Sequence, residues 1–188
     1  MVAVVVFMLA GLVVLLSHTS TQEASAATQS SSASLIAPSS ICPDKSAFKL
    51  PASATLAMAC MTNYARRKAG RPKYRVRSDL GRSATRKAAD ILRCDSFSHT
   101  ACGRPFSYWI NRSYTANKRC WLASENIAWG TGSLSGVRSV FAAWMRSPSH
   151  RSAILSRQYS DLGIGLRTGR MEQRSGAAVW VQHFGKLC

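Results

Sequence analysis

With 188 residues the chain has room for one domain, and 46% hydrophobic content is enough to build a core. Twenty-five Lys and Arg against eight Asp and Glu leave a formal charge of +17, a field that draws a protein to anionic partners such as wall polymers, acidic lipids or glycans. Six cysteines without a CxxC spacing exclude a zinc knuckle and a thioredoxin-type site.

Met1 to Leu16 are all apolar or Gly. As a helix they would reach about 24 Å, short of the roughly 30 Å hydrocarbon core of a bilayer. Ala24-Ser25-Ala26 follows, a small-x-small cleavage pattern, so residues 1–26 read as a signal peptide, although no Lys or Arg precedes the apolar run. An uncleaved anchor is the alternative; either way the rest of the chain is expected to lie outside the cytoplasm, and with cleavage to be secreted and extracellular. Removal of 1–26 takes away one acid, Glu23, and no base, which raises the charge to +18. Residues 27–40, rich in Ser and Ala and uncharged, read as a flexible linker, and 41–188 as the folded domain. An even cysteine count behind a signal peptide predicts three disulfides. Cys42–Cys60 is favoured because it would tie the chain's entry to the first helix; the other pairings stay open. Cys188 suggests a stapled terminal segment.

Leu56, Cys60 and Tyr64 recur at spacing four, with Ala57 and Met61 beside them, and predict a helix over 53–68, ended by Gly70 and Pro72. The run from Arg66 to Arg77, RRKAGRPKYRVR, reads as a solvated basic face. It carries no interleaved aromatics of the kind that stack bases, so nucleic-acid binding is not expected. A second helix, capped by Ser78 or Asp79, runs to Cys94 with Leu80, Ala84, Ala88 and Ile91 as its buried stripe. A polar loop carries His99 and Cys102. Pro105 opens a short helix through Ile110. ENIAWG, from Glu125 to Gly130, reads as a loop or short strand ending in a turn at Gly130-Thr131-Gly132. Val137–Met145 is an amphipathic helix, and Ser147-Pro148 starts another to Leu155. Two strands close the chain, 162–168 and 177–184, with GRMEQRSG as a hairpin loop between them. Helices with strands gathered mainly at the end predict an α+β domain, a small antiparallel sheet covered by helices.

Three polar residues stand in apolar or small surroundings: His99 in SFSHTACG, Glu125 in ENIAWG and His150 in SPSHRSAIL. Ser147 as N-cap and Pro148 at N1 put His150 at N3, where the helix dipole disfavours an imidazolium. A neutral imidazole there can ligate a metal or accept a proton. Glu125 either pairs with a His or carries a raised pKa. Each residue also has a purely structural reading: His150 packed near Trp144, Glu125 bonded to backbone amides, His99 on the surface.

The F-S-H, E-N-I-A and S-P-S-H-R segments, with the closing VWVQHFG, resemble the CAP superfamily of cysteine-rich secretory, antigen 5 and pathogenesis-related proteins, and most of all its bacterial SCP-like branch. The resemblance covers roughly residues 55 to 185. It implies an α-β-α sandwich and a cleft to which His99, Glu125 and His150 contribute. Ser124 and Ser149 replace glycines of the pattern, Ser147 stands where animal and plant members carry a second Glu, and Lys87 stands where bacterial relatives often carry His. His183 falls at a variable position and reads as structural or exposed.

The reading that follows is a non-enzymatic extracellular binding module, a monomer, for an anionic surface, lipid or glycan. Its cleft would offer His99, His150 and Glu125 to a divalent cation such as Zn²⁺; no other cofactor is expected. The alternative is a metal-dependent, peptidase-like hydrolase using the same three residues as candidate catalytic groups. With two His and one Glu as zinc ligands, no general base remains, and HExxH, G-x-S-x-G and papain-like Cys motifs are all missing from the sequence. A third reading makes the trio a buried hydrogen-bonded network that holds the segments together.

Overall fold

A computed structural model describes residues 33–44, 47, 49, 51–116 and 118–188. Residues 1–26, expected as a signal peptide, and 27–32 of the expected linker lie outside the described residues. The remainder of that linker stretch is seen against the domain: Ala37 is buried in the core, and its carbonyl accepts a 2.6 Å hydrogen bond from Arg138.

The elements in chain order are α1 (Pro51–Lys68), β1 (Arg75–Val76), α2 (Ser78–Arg93), α3 (Tyr108–Ser113), β2 (Trp121–Thr131), α4 (Val137–Arg146), α5 (Pro148–Leu155), β3 (Asp161–Met171) and β4 (Arg174–Leu187). The four strands form one sheet in the order β1-β3-β4-β2. β2, β4 and β3 are antiparallel neighbours, while the two-residue β1 runs parallel to β3, so the sheet is mixed rather than wholly antiparallel.

Helices cover both faces, which makes the α-β-α sandwich. On one face α2 lays Ala84, Ala88 and Ile91 on Ile127, Val179 and Val181. On the other, α1, α4 and α5 pack Met58, Met61, Phe141, Trp144 and Ile154 against Leu162, Trp180 and Phe184. The two indole N–H groups buried there donate to carbonyls, Trp144 to Ile127 and Trp180 to Ser135, as buried donors must. The α2 face is closer. A Cβ on Gly163 would lie 2.2 Å from the Leu80 carbonyl carbon, and one on Gly165 would lie 2.2 Å from that of Ala84. Glycine lets the helix backbone rest directly on β3, which explains why both faces of that strand are buried and its apolar alternation hides no solvent side.

Several local expectations are corrected. The α1 stripe is displaced rather than lost: Leu56 is 66% exposed, Cys60 and Tyr64 are half-buried against the core, and the buried positions include Ala54, Ala57, Met58, Met61, Thr62 and Ala65. Small residues and flexible Met let α1 approach its neighbours closely, so side-chain size misled the assignment. The helix expected from Pro105 begins at Tyr108. ENIAWG is the centre of an eleven-residue strand, because β4 pairs with it along its whole length. The eight-residue hairpin loop shrinks to a turn at Glu172-Gln173, both with positive φ, the backbone that a tight hairpin requires.

Nor is the basic run a uniform solvated face. Arg66 is 2% exposed and donates to the carbonyls of Pro72, Ile154 and Ser156, with its guanidinium 3.4 Å from the Tyr74 ring centre. Arg75 and Arg77 pair with Asp161 and Asp79. The disulfides are Cys42–Cys60, as expected, Cys94–Cys102 and Cys120–Cys188. The last ties Cys188 to the entry of β2.

Candidate functional site

β2 is an edge strand, and alternation sends adjacent residues to opposite faces. Glu125 points to the α2 side and Asn126 to the side of α1 and α5. Each stands directly opposite a polar residue of β4, Glu125 across from His183 and Asn126 across from Gln182. From this one dipeptide the structure builds a polar network on each face of the sheet edge.

On the α2 side, Glu125 is buried and both its oxygens are taken. His99 Nδ1 lies 2.7 Å from Oε1 and His183 Nε2 lies 2.9 Å from Oε2. Burial alone would raise this carboxyl, but the bonds from His183 and His99, with the charge of Lys87, hold it below the usual carboxylate range. A carboxylate has no proton to give, so both imidazoles donate to it. His183 Nδ1 lies 2.6 Å from Ser83 Oγ, which is 2.9 Å from the Leu80 carbonyl. Ser83 has one proton for two neighbours. The chain Ser83–His183–Glu125–His99 therefore runs from the core to an imidazole whose side chain is 56% exposed.

His99 arrives on the loop closed by Cys94–Cys102. Lys87, buried on α2, donates a 2.6 Å hydrogen bond to the His99 carbonyl. Burial holds this ammonium below its ordinary pKa, with Glu125 and Asp90 acting against the shift. Next along the helix, Asp90 accepts from Arg104, Arg93 and Trp109 Nε1. Burial would raise it, and these donors together keep it below the ordinary Asp value.

On the opposite side, Asn126 Nδ2 donates to the His150 carbonyl and to Gln182 Oε1, and Gln182 Nε2 donates to Thr62. This amide chain fixes the first turn of α5. Pro148 sits at N1 as expected, but Ser147 spends its hydroxyl on His150 Nδ1, 2.8 Å away, instead of on a backbone amide. Burial, then the neighbouring His99, pushes the His150 pKa below its ordinary value.

The structure thus brings His99, Glu125 and His150 to the β2 edge. His99 and Glu125 are in direct contact, and His150 comes from the other wall. Among the described residues no set of three or more His, Cys, Asp or Glu side chains is arranged to hold a metal ion. The Glu125 side chain is 1% exposed and each oxygen already accepts from an imidazole, so the residues present do not make a three-ligand protein site; His99 and His150 each leave Nε2 for a ligand, since Nδ1 is engaged.

Sequence reasoning missed the depth of the site. His183 is 0% exposed. Ser83, Lys87 and Asp90 were legible in principle: they lie at i, i+4 and i+7, a polar stripe beside the apolar one, and all three are buried.

The profile of the cysteine-rich secretory protein family, CAP, matches residues 61–184. The chain belongs to this family. The CAP match begins inside α1 and ends in β4, enclosing every residue of the cleft. YkwD of Bacillus subtilis (strain 168) is 30% identical over 126 residues, 66% of this chain and 44% of that protein, so the chain spans less than half of that relative. Among solved structures, an outer surface protein of Borrelia burgdorferi superposes with a TM-score of 0.60 at 18% identity, covering 77% of this chain and 98% of its own. An extracellular SCP-domain protein of Bacillus anthracis str. Ames gives 0.55 at 22% identity, covering 69% of this chain and 39% of its own. These two likenesses establish the α+β CAP fold. Among the described residues no helix is long and apolar enough to cross a membrane.

Proposed function

We propose that this chain is a secreted CAP binding module for an anionic surface, lipid or glycan, whose cleft takes a divalent cation such as Zn²⁺ on His99 and His150. The observation that carries the reading is where the acids go. Seven acids follow Ala26. Glu125 and Asp161 are buried with partners, Asp90 is buried beneath two arginines, and Asp79 is paired with Arg77. Only Asp44, Asp95 and Glu172 remain exposed, against exposed cations that include Arg82, Arg112, Arg119, Arg146, Arg167 and Arg170. The surface is more one-sided than the formal charge suggests, and such a field concentrates anionic partners.

The burial of Glu125 favours binding over hydrolysis. A general base must lie within reach of the water it deprotonates, and this carboxylate is 1% exposed with an imidazole on each oxygen. Glu125 orients the His99 ring, much as carboxylates orient metal-bound imidazoles. Three disulfides, and relatives named as extracellular or outer-surface proteins, support secretion.

The test is sedimentation of the oxidised protein with phosphatidylglycerol or phosphatidylcholine vesicles at low and high salt, and with purified anionic glycan. Binding to the anionic probes, lost at high salt, is expected. Equal, salt-insensitive behaviour with neutral and anionic probes would falsify the reading. In a parallel Zn²⁺ titration the ring signals of His99 and His150 should move together while those of His183 stay put; unmoved signals remove the cation.

A further inference from the structure

The far edge of the sheet carries a second candidate site, remote from the histidines. β1 covers β3 only at Asp161 and Leu162, and β3 continues to Met171 with β4 on its other side. Beyond Leu162 the outer edge of β3 has no strand partner among the described residues. Arg77 N donates to the Leu162 carbonyl, so Leu162 turns its backbone polar groups outward. By alternation Ile164 and Leu166 do the same. A cavity of about 450 Å³ opens there between the start of α1 and one face of α2, with Ile164 and Leu166 in its floor.

Three arginines line this groove, Arg82, Arg86 and Arg167, and no acid does. Arg86 is steadied over the Trp109 ring, 5.0 Å from its centre, while Arg82 and Arg167 form no ion pair among the described residues. On the α2 wall Gly81 faces the floor: an added Cβ would stand 3.6 Å from the Ile164 carbonyl oxygen. Ile164 and Leu166 are 8% and 6% exposed, at the bottom of the groove, and Gly81 adds no side chain over that carbonyl.

We propose that this edge of β3 binds an extended, acidic peptide segment, which adds as a strand to Ile164–Leu166 while its carboxylates meet Arg82, Arg86 and Arg167. Backbone groups without a strand partner supply the pairing, and the arginines select the charge. A second copy of this chain is a poor occupant, because the edge would bring the same arginines against each other.

The experiment uses a blocked Glu-Val-Glu-Val-Glu peptide, followed by amide NMR shifts and calorimetry on the oxidised protein. Lys-Val-Lys-Val-Lys, a backbone N-methylated Glu peptide and decanoate are the comparison probes. Binding of the Glu peptide with shifts at Ile164 and Leu166 is expected, with none for the Lys peptide. The Arg82→Ala/Arg167→Ala double variant should weaken it roughly tenfold. Gly81→Leu should weaken it without changing charge, and thermal unfolding checks that both variants are folded. High salt applied to the unaltered protein gives an independent reading of the charge contribution.

Equal affinity of the N-methylated peptide overturns strand addition. Binding of decanoate with a silent peptide reassigns the groove to a small amphipathic anion. Binding of neither probe reduces the arginines to guards that keep a bare sheet edge from aggregating.

Discussion

The two faces of the sheet solve different problems with the same strands. On the α2 face, contact is backbone on backbone at Gly163 and Gly165, and the polar groups are ionisable: Ser83, His183, Glu125 and His99. On the other face, α4 and α5 pack through Phe141, Trp144 and Ile154 and α1 through alanines and methionines, and the polar chain of Asn126, Gln182 and Thr62 carries no charge. The charged wall is therefore the one with no slack. Position matters most where a carboxylate must hold two imidazoles, and the neutral wall only has to place one helix end.

Added volume should break this asymmetry hardest. Gly165→Val would drive a side chain into the α2 backbone, and a loss on the order of 3 kcal/mol or more is expected, measured by chemical denaturation. A comparably mild loss from enlarging Ala178 on the opposite face would support the contrast, whereas equal losses would erase it. Next comes the pair Glu125→Gln and Asn126→Ala. The first removes the charge that both imidazoles address and should cost about 3 kcal/mol. The second removes two neutral hydrogen bonds and should cost about 1–2 kcal/mol. Only the second should shift the ring signals of His150 while leaving those of His99 in place.

The smallest effect is a pH dependence. His150 is held below its ordinary value of 6.5, so the unfolded chain takes up a proton first as pH falls. Its contribution is complete above 6.5 and is lost as pH falls toward the lowered folded value. Glu125 and Asp90, both held below their ordinary 4.5 and 3.8, contribute above those values and lose their share only as pH falls through the lowered ones. In melting temperatures measured across this range, His150→Asn should flatten the upper part of the acid decline and leave the lower part intact. An unchanged upper slope would assign that decline elsewhere.

Much of this was legible in the sequence where periodicity and size agree. The α2 stripe of Leu80, Ala84, Ala88 and Ile91 is buried throughout, because each residue is apolar and recurs on one helical face. α5 starts at Pro148 and ends at Leu155, as its Ser-Pro start indicates. Legibility fails where burial depends on a partner. α1 buries alanines and methionines because its neighbours come close, and no property of Leu56 itself says it will face solvent. ENIAWG reads as a loop or a short strand because Glu125 and Asn126 are polar on both faces, and only the register with β4 shows that each has a polar counterpart and that the strand is long. His183 reads as structural or exposed, and burial decides for structural, but its link to Glu125 was not legible because that partner lies 58 positions away in sequence. His99, Glu125 and His150 themselves were visible as polar residues in small, apolar surroundings.

The Cys94–Cys102 bond has one further consequence. Its two cysteines lie eight positions apart and enclose His99, so the exposed imidazole is tethered at both shoulders by a bond that exists only after oxidation. Without that bond the arm would hang on the hydrogen bonds from Lys87 to the His99 carbonyl and from His99 to Glu125, so the oxidation state of two thiols sets how firmly the exposed imidazole is held.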